Sequence, residues 1–100
     1  MTGATEELAL YREMGCTREE FLRWLPGATR HAPMQMNADK AVVNVGEATV
    51  EISFAPAPAR RIGRVSIPVL QVSFLFSGAR ASAYRDFMTY FDLCTSRGGG

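Results

Sequence analysis

The sequence predicts an α+β domain: two short N-terminal helices, an antiparallel three- to four-stranded β-meander, and a C-terminal helix packed on one sheet face in two layers. Three observations carry this expectation. In the stretch 65–76, V-S-I-P-V-L-Q-V-S-F-L-F, Leu70, Val72, Phe74 and Phe76 alternate with Gln71, Ser73 and Leu75, which is the period of a strand. Ser77-Gly78 breaks that period, and from about Arg80 the apolar residues recur at helical spacing as Tyr84, Phe87, Met88, Phe91 and Cys94. The length of 100 residues, 47% hydrophobic and 21% charged, allows one modest core without staples. Residues 1–100 are therefore read as a single domain, with 1–4 and 98–100 as flexible tails.

From the N-terminus, Glu6 to Met14 reads as a helix with Leu8, Leu10, Tyr11 and Met14 apolar and Gly15 at its end. Thr17-Arg18-Glu19-Glu20 is a capping box, in which the Thr17 hydroxyl accepts from the Glu20 N–H and the Glu20 carboxylate reaches back to the Thr17 N–H. Cys16 and Phe21 occupy the staple positions around it. Phe21, Leu22 and Leu25 give this second helix its apolar face, and Pro26-Gly27 is its expected end. Met34 and Met36 alternate with polar neighbours as the start of a short strand, and Asn37 to Lys40 reads as a turn. Ala41 to Val45 and Ala48 to Phe54 are strands around a Gly46-Glu47 turn. Ala55-Pro56-Ala57-Pro58-Ala59 is expected to stop the second of them, because proline lacks a ladder donor. Arg60 to Gly63 then completes a loop.

The long third strand changes phase. Val65, Ile67 and Val69 are apolar before Leu70, and Leu70, Val72, Phe74 and Phe76 after it. A slip of one residue moves side chains to the opposite face. Either a bulge lies near Pro68 to Leu70, or both faces are covered there. Pro68 places this stretch at an edge or a bulge.

Composition narrows the function classes. The net charge of +1 lacks the basic excess of nucleic-acid binders, so nucleic acid is not an expected partner. No apolar run approaches the ~20 residues of a membrane span, and the acidic start Glu6-Glu7 does not resemble an export signal. The expected location is cytoplasmic, with Cys16 and Cys94 as free thiols. Ten arginines against the single Lys40, with abundant alanine, suggest a GC-rich bacterial genome.

The candidate chemistry is sparse. Arg60, Arg61 and Arg64 cluster before the long strand, and guanidinium forks suit phosphate or carboxylate groups. Trp24, His31, Met34 and Met36 include an H-x-x-M-x-M string, and thioether with imidazole suits Cu(I). This residue set resembles that of small periplasmic copper chaperones of the cation-efflux kind, and the resemblance implies a Cu(I) site. The competing reading makes Met34 and Met36 adaptable core filler. The end Arg97-Gly98-Gly99-Gly100 resembles the tails of ubiquitin-like proteins and sulfur carriers, but Gly98 is better read as the residue closing the last helix. Cys16, near a helix N-terminus, is the better candidate for a reactive thiol. His31 lies in a connector, the carboxylates are scattered, and no nucleotide, phosphate or metal-hydrolase motif occurs. No cofactor is expected, and the chain is not expected to be an enzyme.

The expectation that results is a non-enzymatic protein-interaction or self-association module with an unidentified protein partner. The wide apolar surface of the last helix, extended by Tyr90 and Leu93, suggests a homodimer that covers the second sheet face or extends the sheet edge to edge. Alternatively, the N-terminal helices cover that surface within one chain. The runner-up functions are a small-ligand or anion-binding domain using the arginine loop, and a Cu(I)-binding protein.

Overall fold

Leu8 to Met14 is a strand, fixed by its pairing with Leu70 to Phe76. In the computed structural model, which describes residues 8–78 and 81–99, β1 (Leu8–Met14) pairs antiparallel with the later strand that ends at Ser77, with Leu8 opposite Phe76 and Met14 opposite Leu70. The expected first helix is thus a strand, and there is one N-terminal helix, not two. The physical reason is that Leu10, Arg12 and Met14 are half-buried on one face while Tyr11 and Glu13 are exposed on the other. Arg12 fits the inner row because its head reaches Asp92 at 3.1 Å while its stem lies along the sheet.

Helix α1 (Arg18–Ala28) starts where the capping box predicts. The Thr17 hydroxyl accepts from the Glu20 N–H at 3.1 Å, and the Thr17 N–H donates to the Glu20 carboxylate at 2.9 Å. Both staple residues, Cys16 and Phe21, are buried. The helix runs through Pro26 and Gly27 and ends at Ala28, one residue past its expected end. The Thr29 hydroxyl donates to the Leu25 carbonyl at 2.9 Å, and the His31 N–H reaches the Pro26 carbonyl at 2.8 Å. Arg30 and His31 supply the left-handed backbone, at φ 56° and 58°, that glycine usually provides after a helix.

Three short-range strands follow: β2 (Met34–Met36), β3 (Lys40–Val45) and β4 (Ala48–Ile62). The turn from Asn37 closes with the Asn37 N–H on the Lys40 carbonyl at 2.7 Å. β5 (Val65–Ser77) completes a five-stranded antiparallel sheet in the order β1-β5-β4-β3-β2. Helix α2 (Ala81–Gly99) then lies on the same face as α1. It includes Gly98 and Gly99, past the expected end; residues 1–4 and 100 of the expected tails lie outside the described residues.

The core lies between the sheet and the two helices. Phe54, Phe74 and Phe76 from the sheet meet Phe21 of α1 and Tyr84, Met88 and Phe91 of α2, all at 5% exposure or less. Phe91 sits edge-on to Phe74 with ring centroids 5.0 Å apart and 6.2 Å from Phe21, so one ring joins sheet, α1 and α2. Burial of each such side chain contributes about 1.5–3 kcal/mol. The other sheet face is mostly small and polar, with Thr49, Ser53, Gln71 and Ser73 beside Tyr11 and Leu75. Antiparallel sheets commonly leave one such face to water. No helix among the described residues is long and apolar enough to cross a membrane.

β4 does not stop at its prolines. β3 ends its pairing at Ser53, so beyond it β4 is an edge strand, where a proline can leave its missing donor facing outward. β4 and β5 continue together as a two-stranded arm, and the molecule measures 54 × 24 × 23 Å.

Candidate functional site

The arm owes its shape to one extra residue. Ala57 pairs with Val69 and Arg60 pairs with Ile67, so β4 spends three steps where β5 spends two. Pro58 and Ala59 form the bulge, opposite Pro68. The sequence leaves open a bulge near Pro68 to Leu70 or cover on both faces; the bulge lies at that level but on the partner strand, and Val69, on the open side, is only 9% exposed. β5 itself stays regular, so the phase change is a true change of face. Leu70, Val72, Phe74 and Phe76 face the helices, whereas Val65, Ile67 and Val69 face the open side.

Directly opposed residues of an antiparallel pair share a face. Arg60, Ile62, Val65 and Ile67 therefore line one side of the arm, and Arg61 and Ser66 the other. At the tip, Gly63 takes φ 60° while Arg64 stays outside the left-handed region, as in a type II′ two-residue turn. What reads as a loop from Arg60 to Gly63 is strand up to Ile62, and Arg64 leads the turn. Residues 58 to 66 are all exposed, with Ile62 at 60% and Val65 at 58%. Arg60 donates to the Glu13 carboxylate of β1 at 2.6 Å. Arg61 and Arg64 have no ion-pair partner among the described residues.

The three arginines predicted from the sequence are thus brought together, on a projecting ribbon rather than in a surface loop. Glu13, Ile62 and Val65 were missed as parts of the site. The signal for the last two was present in the out-of-phase apolar set before Leu70.

The sulfur and imidazole set is arranged differently. Trp24 and Met34 are half-buried against the edge of the core. Met34 lies opposite Val43 and Met36 opposite Ala41 on the helix side of the sheet, with Met36 46% exposed. His31 is exposed on its left-handed backbone. Among the described residues no group of three or more His, Cys, Asp or Glu could hold a metal ion.

Cys16 is 2% exposed, not half-exposed as its place before α1 suggests. Burial pushes its thiol above the ordinary value, and the Glu20 carboxylate adds to the rise. Two further features have little reactive character. On the open face, Lys40 pairs with Glu51 at 2.7 Å, and the hydrogen bond and charge of Glu51 raise the ammonium pKa. Beside α2, a groove of 560 Å³ runs along Arg30, Val45, Phe87, Tyr90 and Leu93. The Arg30 guanidinium lies 4.1 Å from the centre of the Tyr90 ring and closes over its end.

No family model, curated protein or solved structure matches the chain.

Proposed function

We propose that this protein is a non-enzymatic binding module that grips a polyanionic partner with its arginine-tipped β4–β5 arm. The observation that carries the reading is the arm itself. Residues 58 to 66 bury nothing in the core, yet they are held as paired strand by a bulge, a two-residue turn and the Arg60–Glu13 ion pair. Ordering a chain costs about 1–2 kcal/mol per residue, and core burial does not offset that cost here. Guanidinium groups at an exposed tip are suited to phosphate, sulfate or carboxylate oxygens.

The test is to shorten the arm. Replacing residues 58–68 by Asn-Gly leaves Ala57 and Val69 as the pair flanking a favoured two-residue turn. The shortened protein is expected to keep its helical far-UV circular dichroism and its melting temperature and to lose retention on heparin. Equal retention of both proteins, or no retention of the intact one, refutes the reading.

A second reading, self-association, is favoured by β1. Its outer edge is unpaired among the described residues, and Tyr11 and Leu93 are each 53% exposed. Pro56, Pro58 and Pro68 protect the base of the arm against strand addition, so a homodimer would form through β1. A monomeric mass by light scattering across micromolar concentrations removes this reading.

A further inference from the structure

The two strands of an antiparallel ribbon lie about 4.8 Å apart, and the major groove of B-form DNA, about 12 Å wide and about 8.5 Å deep, admits such a ribbon. We infer that the polyanion is double-stranded DNA and that the hairpin from Arg60 to Ile67 enters its groove. This inference rests on the reading of the arm as a polyanion grip and names its partner.

Charge is the first support. A net charge of +1 conceals a segregated distribution: between Ile52 and Gly78 the chain has three arginines, all in the arm, and no acidic residue, and all ten carboxylates lie outside this stretch. The arm is therefore the part of the molecule that a phosphate backbone attracts, while the acidic residues of the body are repelled. Reach is the second. The regular strand of the arm covers its length in the five residues Val65 to Val69, at about 3.3 Å each about 16 Å, which exceeds the groove depth of about 8.5 Å.

The order of residues at the tip discriminates among polyanions. The turn leads with Gly63-Arg64, and Ile62 and Val65 stand behind it on one face. Insertion into a bilayer would carry a guanidinium ahead of the two apolar side chains, and charge in hydrocarbon is strongly disfavoured. Between two rows of phosphates a leading cation is favoured. The fork can also pair with the O6 and N7 acceptors of guanine, while an aliphatic side chain can meet a thymine methyl. Single strands are bound by stacking on aromatic side chains, and the arm has none, since no aromatic residue occurs between Phe54 and Phe74. A-form RNA presents a deep, narrow major groove that side chains cannot read.

The test is fluorescence anisotropy with a labelled DNA duplex of about two helical turns, and with the same strand alone, an RNA duplex and phosphatidylserine vesicles. With Arg60 paired to Glu13, the intact protein is expected to bind the DNA duplex with log affinity falling against log salt at a slope of roughly −2, the value for about two neutralised phosphates. The variant Arg61→Glu/Arg64→Glu is expected to weaken binding at least about tenfold, in line with loss of two phosphate contacts. Arg23→Glu/Arg85→Glu makes the same charge change on the exposed faces of the two helices and is expected to retain most of the affinity. Equal losses in the two variants, or tighter binding to single strand or RNA duplex, would overturn the inference. Arm-dependent binding to vesicles or heparin without duplex binding overturns it too, but leaves the arm as a polyanion grip. Binding to none of these ligands sinks both.

Discussion

The Arg60 guanidinium lies 2.6 Å from the Glu13 carboxylate, so β4 is tied to β1 across the intervening β5 at the point where the arm leaves the sheet. The ion pair follows from the bulge. With one extra residue in the Pro58–Ala59 bulge, Arg60 takes the open face, which Glu13 shares; a regular strand would have turned it toward the helix side. The pair also neutralises one of the three arm charges. Both side chains are well exposed, at 62% and 41%, and such pairs contribute about 0.2–1 kcal/mol. Glu13→Gln is therefore expected to leave the unfolding midpoint nearly unchanged while raising the affinity of the arm for a polyanion. Equal heparin elution salt for Glu13→Gln and the parent protein would show that the Glu13 charge does not restrain the arm.

Phe91 and Leu93 are two residues apart on α2 and have opposite environments, 1% and 53% exposed. Phe91 joins three elements through Phe74, Phe21 and Phe87. Its truncation to alanine leaves a cavity that sheet and both helices would have to close, at a cost of about 3–5 kcal/mol. A domain of this size has about 5–15 kcal/mol in total. Leu93→Ala is expected to fall within about 0.5 kcal/mol of the parent, as for exposed positions generally. Urea titrations of the two variants measure the difference. A large loss in Leu93→Ala would mean that a partner chain buries this side of α2 in solution, which would favour the self-association reading.

These environments show which parts of the fold local sequence reports. The capping box at Thr17, the alternation from Leu70 to Phe76 and the stripe through Tyr84, Met88 and Phe91 are short-range patterns, and each becomes the expected element. Leu8 to Met14 satisfies both periods, because Leu10 and Met14 suit a helix face as well as one side of a strand. Pairing with Leu70–Phe76 decides between them, and residues so far along the chain leave no local signal. The proline rule failed at Pro56 and Pro58 for a related reason. It applies to a strand with neighbours on both sides, and where β3 ends cannot be read from β4. The arginine cluster was legible as chemistry. Its projection was not, because that depends on the β4–β5 register.

Thr17 closes the N-terminus of α1 through a reciprocal pair of hydrogen bonds with Glu20. Thr17→Ala removes the acceptor for the Glu20 N–H and is expected to cost about 1 kcal/mol. Thr17→Ser keeps the acceptor and is expected to restore most of that loss. Thr17 pairs with Glu20 and not with Arg60, Arg61 or Arg64, so heparin retention of both variants is expected to match the parent. If Thr17→Ala loses heparin binding while still folded, the arm is not the sole binding element.

Cys16 couples burial to pH. Its thiol is raised above the ordinary value of 9.0 by desolvation first and by Glu20 second. The thiolate is the nucleophile, so the native protein at pH 8 is expected to react with Ellman's reagent more slowly at Cys16 than does the urea-unfolded chain. Cys94→Ser isolates that signal. The sign of the stability effect follows from the same shift. A group whose pKa is higher folded than unfolded favours the folded state fully below its unfolded value, and that contribution is lost as pH rises through the folded value. Stability is therefore expected to be insensitive to Cys16 at neutral pH and to fall above pH 9, and Cys16→Ser should flatten that alkaline slope. Equal reaction rates for native and unfolded protein would place Cys16 in contact with solvent, and with it the staple between Cys16 and Phe21 would be lost.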